Sequence, residues 1–244
     1  TALVSAGVNT LCVVGAHGHH ILMERALKSL RDKFGTSVSI IAGNVAMVEG
    51  YMDLSLWGAD AVRVGIGGGS ICSTRIQTGH GVPTLQSVMA CHIARTIGAP
   101  KNSNFTPAKI IADGGIRSSG DIVKSLAAGA DFVMLGSLLA GTKETPGTIF
   151  QENSGERYKV YRGMASPEAQ EEWRGKASSL EGISTTVPYK GSVVEVLSNI
   201  DLNVRSGLSY SGARTIRELR EKCEFVIQSP AGQSESSTHI LNKR

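Results

Sequence analysis

The sequence contains no long apolar run, no block of like charges and no closely spaced cysteines. No run approaches the roughly 18 apolar residues of a membrane-spanning helix, and the start lacks the apolar stretch of a signal peptide. The 25 basic and 21 acidic residues are spread along the chain, so the net charge of +4 predicts neither a nucleic-acid nor a membrane partner. The scattered cysteines exclude a zinc finger or disulfide framework and favour a reducing, cytoplasmic location. They are Cys12, Cys72, Cys91 and Cys223.

A sequence motif that occurs three times indicates how helices and strands follow one another. Residues 6–15, 57–65 and 128–136 each place a glycine suited to a helix end before an apolar stretch that ends at another glycine. Residues 38–43 and 109–113 have the apolar pattern of strands buried on both faces of a parallel sheet. The alternation predicts an α/β fold in one domain, residues 1–244, with the active site at the carboxyl ends of the strands. Helices are predicted over Ile21–Phe34, 46–57, Thr84–Ile97 and 121–128, the last with Ser119 and Asp121 at its start.

The alternation of strands and helices stops after Gly136. Residues 144–191 are polar and rich in turn-forming residues, and we predict that they form a flap region. Within it, residues 166–186 are loop-like, and a run of this length without regular structure is typical of a functional flap or of disorder. Because the chain begins at Thr1, without Met, inside a predicted helix, we expect a preceding segment. The final section is predicted to hold helices over 192–203 and 212–222, a short strand over 224–227 and a mobile tail over 229–244.

The glycine-rich loop that follows residues 57–65 has the highest density of reactive residue types. Cys72 lies on this loop, where side chains face the cleft of a β/α barrel, and loop amides with Arg75 would favour its thiolate. We therefore interpret Cys72 as a nucleophile, the alternative being a buried structural thiol. Thr74 could hydrogen-bond a water or a leaving amine, or it could be an ordinary loop hydroxyl.

Two further strand ends carry candidate binding residues. Asp113 ends a strand before two glycines, which suits a pair of sugar hydroxyls, although Asp113 could instead cap the turn. Gly136 and Ser137 precede a predicted helical turn whose amides could hold a phosphate together with Gly115 and Ser70. The histidines His17, His19 and His20 have HxH spacing without a carboxylate, so we interpret them as surface loop residues rather than metal ligands.

Several motifs resemble the family of IMP dehydrogenase and GMP reductase. GIGGGSICSTR resembles the cysteine loop of the family, and IADGGIRSSGDI resembles its ribose and phosphate segment. FVMLGSLLAGTKETPG, YRGM, VPYKGSV and RSGLSYSGARTI follow in the family's order and spacing. The resemblance implies a (β/α)₈ barrel in a homotetramer, a purine nucleoside 5′-monophosphate substrate and NAD or NADP as cofactor. This chain shows about the last five barrel strands, a flap and a C-terminal segment.

The resemblance also implies roles for individual residues. Cys72 would attack purine C2 to form a covalent thioimidate, while Thr74 and Glu181 would handle the proton of the attacking water or of ammonia. A potassium ion would be bound by carbonyls of Gly67, Gly69 and Cys72, completed by a neighbouring subunit's segment that contains Glu235 and Ser236. The substrate would be held by Ser70, Asp113, Gly115, Gly136, Ser137, Tyr161, Gly163 and Met164, with Asp113 on the ribose and Gly163 with Met164 on the base.

Three departures from the family pattern leave the reaction open. Gly68 stands where the family usually has Pro, and Val14 stands where the dehydrogenase has an Asp that touches the cofactor ribose. The flap between Met164 and Glu181 is short and lacks the Arg-Tyr pair of the dehydrogenase, as in the reductase. The other motifs favour IMP dehydrogenase, which is our prediction. GMP reductase and a catalytically silent nucleotide-binding or assembly subunit are the alternatives.

Overall fold

The computed structural model describes residues 1–98, 105–177 and 181–238 and contains two sheets. Five strands form a parallel sheet, and three later strands form an antiparallel one. The strands are β1 (Thr10–Val14), β2 (Ser39–Val45), β3 (Ala61–Val64), β4 (Lys109–Asp113), β5 (Phe132–Met134), β6 (Ile149–Gln151), β7 (Arg157–Arg162) and β8 (Ser184–Pro188). The helices are α1 (Ala2–Ser5), α2 (Ile21–Phe34), α3 (Val48–Leu56), α4 (Thr74–Thr78), α5 (Thr84–Ile97), α6 (Ser119–Ala127), α7 (Pro167–Arg174), α8 (Val193–Tyr210), α9 (Ile216–Lys222) and α10 (Pro230–Glu235).

The parallel sheet has the strand order β1-β2-β3-β4-β5, which is also the order along the chain. Every neighbouring pair is parallel, with register partners such as Ile41 with Ala61 and Val62 with Ile110. Four of the strands lie within the stretches that the sequence predicts, and β2 begins in the predicted stretch 38–43 and continues to Val45. Since the carboxyl ends of parallel strands meet at one edge, the loops after β2, β3, β4 and β5 lie side by side.

One face of this sheet packs against helices to form the core. Ile40, Val62 and Ile110 have no exposed surface, and neither have Leu27 and Leu54 from the helices α2 and α3. Burying a side chain of this size stabilises the fold by about 1.5–3 kcal/mol. The core therefore holds the strands rigidly and leaves their following loops to carry function.

Two of the three repeated motifs contain an aspartate that bonds both a helix and the sheet. The Asp60 carboxylate accepts the N–H of Ile40 at 2.6 Å and pairs with Arg31 of α2. Asp131 accepts the N–H of Ile110 at 2.8 Å and pairs with Arg95 of α5. The polar residue that the sequence places before each strand thus fixes the start of the preceding strand.

The predicted absence of regular structure in residues 166–186 is wrong, because they contain α7 and the start of β8. Residues 144–191 as a whole contain β6, β7, β8 and α7, and the strands pair antiparallel in the order β6-β7-β8. The Ser166 side chain accepts the N–H of Ala169 and so begins α7. We call residues 144–191 the flap, as in the prediction.

The structure corrects several smaller predictions. Ser118, not Ser119, caps α6 by accepting the N–H of Asp121. Residues 224–227 form no strand, since they run between α9 and α10 outside any ladder. The helix predicted over 192–203 continues to Tyr210, and the one predicted over 212–222 begins only at Ile216. Within the predicted mobile tail, residues 230–235 form α10, while residues 239–244 lie outside the described residues.

A membrane-crossing helix requires both length and apolar character. Among the residues that the structure describes, no helix meets both requirements.

Candidate active site

The loop after β3 carries Cys72 and passes very close to the loop after β4. A Cβ atom at Gly65 would lie 1.9 Å from the Asp113 carbonyl oxygen, and the backbone of Gly65 has φ +143°. Only glycine fits this position, because it has no Cβ and adopts positive φ freely. The glycines of the loop therefore serve close contact between neighbouring strand ends.

The departure at Gly68 has a local structural reason. A Cβ at this position would lie 2.6 Å from Oγ1 of Thr84 and 3.2 Å from the carbonyl carbon of Gly114. The proline ring that the family usually has here would therefore collide with Thr84 at the start of α5. Gly68 is a consequence of this packing.

Cys72, Thr74 and Glu181 form a chain of hydrogen bonds. The Cys72 thiol donates to the Thr74 hydroxyl at 3.2 Å between Sγ and Oγ1. The Thr74 hydroxyl donates to Oε2 of Glu181 at 2.9 Å. This arrangement connects a nucleophile type to a carboxylate through a single hydroxyl, which is the geometry that general acid–base catalysis needs.

The backbone of the flap holds Glu181 against the cysteine loop. The Ser73 N–H donates to the Glu181 carbonyl at 2.9 Å, and the Ile183 N–H donates to the Ile71 carbonyl at 3.1 Å. Cys72 and Gly182 form an antiparallel bridge between these two bonds. Cys72 and Gly182, 110 positions apart along the chain, are thereby fixed in register, so the contact between Thr74 and Glu181 does not depend on side-chain position alone.

Arg75 has a structural environment. Its guanidinium donates to the carbonyls of Ile66, at 3.1 Å from Nη2, and Val82. Cβ atoms at Gly67 or Gly81 would lie 2.5 Å and 2.7 Å from Cγ of Arg75, so both glycines leave room for its side chain. Arg75 therefore holds the two ends of the loop, at Ile66 and Val82, together. Its effect on the Cys72 thiolate stays a prediction.

A cavity of about 210 Å³ lies where the loops after β3, β4 and β5 meet β7. The Ser70 and Tyr161 hydroxyls are 3.2 Å apart, and the Gly115 N–H donates to the Gly68 carbonyl at 2.6 Å. We call this cavity the phosphate cradle. Its lining includes six of the predicted substrate residues: Ser70, Asp113, Gly115, Gly136, Ser137 and Tyr161.

Asp113 faces two partners that the sequence interpretation missed. Its Oδ2 accepts from Nη2 of Arg63 at 2.6 Å and from Nδ2 of Asn44 at 2.7 Å. The Asn44 amide also donates to the Gly65 carbonyl at 2.8 Å. Arg63 is a charged residue inside an apolar strand, and Asn44 lies near the carboxyl end of β2. Both positions are signals that the sequence carries.

The predicted base-binding residues line a larger neighbouring cavity. Gly163 and Met164 border a space of about 910 Å³, which shares Gly136 and Tyr161 with the phosphate cradle. The Met164 side chain is 74% exposed. A ligand with its anionic end in the cradle can therefore extend towards Met164.

The predicted cation ligands lie in two separate segments. The Gly69 carbonyl accepts the Cys72 N–H at 3.1 Å within the cysteine loop. Ser236, with Glu235 beside it in the sequence, accepts from Nε2 of Gln228 at 2.6 Å at the end of α10. In the part of the chain that the structure describes, no group of three or more His, Cys, Asp or Glu side chains is arranged to hold a metal ion. The potassium site stays a prediction.

The three histidines are exposed and have structural partners. His19 contacts the Asp53 carboxylate at 2.8 Å through Nε2, and His20 accepts the N–H of Leu22 at the start of α2. The interpretation of His17, His19 and His20 as surface loop residues is confirmed.

Comparisons with known proteins give the family of the chain. A family model described as the IMP dehydrogenase / GMP reductase domain matches residues 1–239. The chain is 45% identical to inosine-5′-monophosphate dehydrogenase from Nitrosopumilus maritimus and 41% identical to GMP reductase from Leishmania major, over 98% and 99% of its length. A cysteine-to-alanine variant of GMP reductase from Trypanosoma brucei, in complex with guanosine 5′-monophosphate, superposes with a TM-score of 0.88 at 42% identity and 97% coverage of this chain.

The fold and the site define an α/β enzyme of the (β/α)₈-barrel class, of which this chain contains five parallel strands. The chain belongs to the IMP dehydrogenase / GMP reductase family. It covers 50% of each of the two curated relatives and 48% of the Trypanosoma chain, so it spans about half the length of the proteins that it matches.

Proposed function

We propose that the protein is an oxidoreductase that converts IMP, NAD and water to XMP and NADH through a covalent adduct on Cys72. The observation that carries this proposal is the hydrogen-bond chain Cys72–Thr74–Glu181 beside the phosphate cradle. The chain places a nucleophile type beside a hydroxyl and a carboxylate that can take a proton from water, which is the arrangement that a covalent adduct and its hydrolysis need. The resemblance to dehydrogenases over nearly the whole chain supports the choice of reaction.

In the proposed reaction, the Cys72 sulfur forms a bond to purine C2, and C2 loses a hydride to give a thioimidate. Water then adds to C2, the C–S bond breaks, and XMP leaves with the water oxygen. The Thr74 hydroxyl would take a proton from this water while donating its own to Glu181, since it already contacts Glu181. The thiol proton displaced in the first step leaves to solvent as the net proton of the reaction, and the proton taken from water returns to the Cys72 sulfur when the C–S bond breaks.

The proposed substrate pose follows from the two adjoining cavities. The 5′-phosphate would accept hydrogen bonds from Ser70, Tyr161 and the amides near Ser137 in the phosphate cradle. The ribose hydroxyls would donate to Asp113, whose orientation is fixed by Arg63 and Asn44. The base would then lie along Gly163 and Met164, which we expect to place C2 near Cys72.

A nicotinamide cofactor would lie against the base, beside Cys72. A Cβ at Gly69 would lie only 3.3 Å from Cβ of Cys72, so glycine avoids crowding the cysteine side chain. A bound nicotinamide would accept the hydride from C2. Val14, 48% exposed at the end of β1, offers no oxygen to a cofactor ribose, so the choice between NAD and NADP stays open.

A potassium ion fits the donor chemistry of the cysteine loop. Carbonyl oxygens are the ligands that potassium prefers, and Gly67, Gly69 and Cys72 would supply three. Glu235 and Ser236 of a neighbouring copy would add further oxygens, as part of a homotetramer. Such an ion would stabilise the conformation of the loop that holds Cys72. We further propose that the protein acts in the cytoplasm, because its cysteines suit a reducing compartment.

One specific observation favours GMP reductase as a second candidate. The segment between Met164 and Glu181 includes the short helix α7 and contains no tyrosine, so the Arg-Tyr pair of the dehydrogenase is absent. In this alternative the same Cys72 adduct forms with loss of ammonia from GMP, and NADPH supplies a hydride to C2 to give IMP. Thr74 and Glu181 would then protonate the departing ammonia.

Assays of the purified protein with both substrate pairs test the proposal. We expect NADH formation at 340 nm with IMP and NAD, and no NADPH loss with GMP. Loss of NADPH with GMP, without formation of NADH with IMP and NAD, would show that the reaction is that of GMP reductase and not that of IMP dehydrogenase. Nucleotide binding without turnover in either direction would instead establish the third alternative, a silent subunit.

A further inference from the structure

A lysine of the flap donates hydrogen bonds to the turn that follows β5. Nζ of Lys190 donates to the carbonyls of Ser137 at 2.7 Å and of Leu138 at 3.2 Å. The N–H groups of the same two residues have no acceptor among the described residues. One side of this turn therefore contacts a cation, while its amide donors remain available beside the phosphate cradle, which Ser137 lines.

The main chain fixes Lys190 to this turn from both directions. The Lys190 N–H donates to the Gly141 carbonyl at 2.9 Å, and the Lys143 N–H donates to the Gly191 carbonyl at 2.7 Å. Thr142 and Gly191 also form a parallel bridge. Because these bonds involve backbone atoms, the position of the lysine at the end of β8 does not depend on its ammonium.

The charge of Lys190 is not neutralised by a neighbouring carboxylate. Among the described residues, no Asp or Glu oxygen lies within 4.0 Å of its ammonium. Partial burial lowers the pKa of Lys190 from its ordinary value. A cation on a carbonyl strengthens the N–H of the next residue as a donor, so Lys190 acts on the Leu138 N–H through the Ser137 carbonyl. It acts on the Ser137 N–H in series, because the Leu138 carbonyl shares a peptide group with the Leu139 N–H, which donates to the Gly136 carbonyl at 3.0 Å.

We infer that Lys190 is a positioning residue that raises the affinity of the phosphate cradle for a 5′-monophosphate through the Ser137–Leu138 backbone. This inference rests on the proposed nucleotide-binding function. Lys190 need not touch the phosphate. It keeps the carbonyls of the turn directed away from the cradle, and it adds positive charge behind the amides that face the anion.

The test compares three probes: IMP, inosine, which has the same base and ribose without phosphate, and inorganic phosphate. Calorimetry is carried out on the wild-type protein, Lys190→Met, Lys190→Arg and Lys143→Met. Lys143 is the matched control, because it has the same charge on the same turn but does not bond the two carbonyls. We expect Lys190→Met to raise the dissociation constant for IMP about five- to tenfold. The dissociation constant for inosine should change less than about twofold in this variant, and Lys190→Arg should recover part of the loss.

The outcomes separate this inference from the proposed function. Three results would overturn the role of Lys190 while the nucleotide site remains. In the first, Lys190→Met weakens the binding of IMP and of inosine equally; in the second, it does not weaken the binding of IMP. In the third, Lys143→Met has the same effect as Lys190→Met. If the wild-type protein binds inorganic phosphate more tightly than Lys190→Met does but binds neither IMP nor inosine, the proposed function fails, and of the inference only the effect of Lys190 on a bound phosphate group stands. If no probe binds to the wild-type protein, both fail.

Discussion

At the scale of single residues, the Thr74 hydroxyl is the centre of the candidate site. It is the only described side-chain group that the structure places in hydrogen-bond contact with both the Cys72 thiol and the Glu181 carboxylate. A hydroxyl in this position can accept a proton from one partner while it donates to the other. Its removal should therefore affect proton transfer more than substrate binding.

We expect Thr74→Val, which keeps the shape of the side chain, to lower kcat by about 10²–10³-fold with little change in KM. Hydrolysis of the adduct should slow more than its formation, because only hydrolysis needs a proton taken from water. Stopped-flow measurement of NADH should therefore show a burst close to one equivalent per site. Thr74→Ser, the control, should retain most of the activity. A Thr74→Val enzyme whose burst disappears together with its steady-state rate would contradict this role.

The sequence predicted Cys72 and Asp113 because each stands beside glycines at a strand end. It did not predict that Arg63 and Asn44 both bond Asp113. Arg63 comes from β3, Asn44 from β2 and Asp113 from β4, so their contact depends on the register of three strands. Residue type and spacing along one chain contain no direct information on that register.

At the scale of secondary-structure elements, the flap is the least predictable part of the fold. The three residues of β6 are all exposed, and β7 has one buried residue, Lys159. Strands of this kind lack the alternation of apolar and polar residues by which a half-buried strand is normally detected. Their positions depend on backbone pairing, as in the bridge from Cys72 to Gly182.

Lys159 supplies a direct test of the flap. Its buried ammonium donates to the carbonyls of Thr142 at 3.0 Å, Lys143 at 3.2 Å and Thr145 at 2.5 Å. We expect Lys159→Met to lower the free energy of unfolding by about 2–3 kcal/mol, because three buried or partly buried carbonyls would lose their donor. Urea unfolding followed by circular dichroism measures the change.

Lys28→Met is the control for the Lys159 experiment, since Lys28 is exposed and pairs only with Glu24 on its own helix. Its stability should change by less than about 0.5 kcal/mol. Equal stability of Lys159→Met and Lys28→Met would show that the carbonyls of the turn do not need the ammonium.

At the scale of the whole molecule, five β/α units share one core. The alternation of apolar strands and helices was sufficient to predict the parallel sheet and the edge that carries the site. What joins neighbouring units is less visible in the sequence. Asp131 illustrates this, because it bonds β4, Arg95 of α5 and Arg220 of α9 together.

Asp131 should make the stability of the fold depend on pH. Burial opposes its ionisation, but the Ile110 N–H and the guanidinium groups of Arg95 and Arg220 outweigh burial and hold its pKa below the ordinary value. The stabilisation is therefore present above the unfolded-state pKa of about 3.9 and is lost as pH falls through the lower folded-state pKa. We expect Asp131→Asn to lose about 2–4 kcal/mol of unfolding free energy at pH 7.

The difference between wild type and Asp131→Asn should shrink when urea unfolding is repeated at successively lower pH, below the ordinary carboxyl range. Asp201→Asn is the control, because Asp201 is exposed and pairs with Arg205 on the same helix. A wild-type-to-variant difference that stays constant as the pH falls would show that the Asp131 charge is not what joins these elements.

The central claim is that Cys72 forms a covalent bond to the purine. The most direct measurement is mass spectrometry of the Cys72 peptide after acid quenching of the enzyme during turnover with IMP and NAD. We expect a fraction of this peptide to gain the mass of the bound nucleotide, and we expect Cys72→Ser to show neither the adduct nor turnover. Turnover by Cys72→Ser above the background rate would contradict covalent catalysis by Cys72.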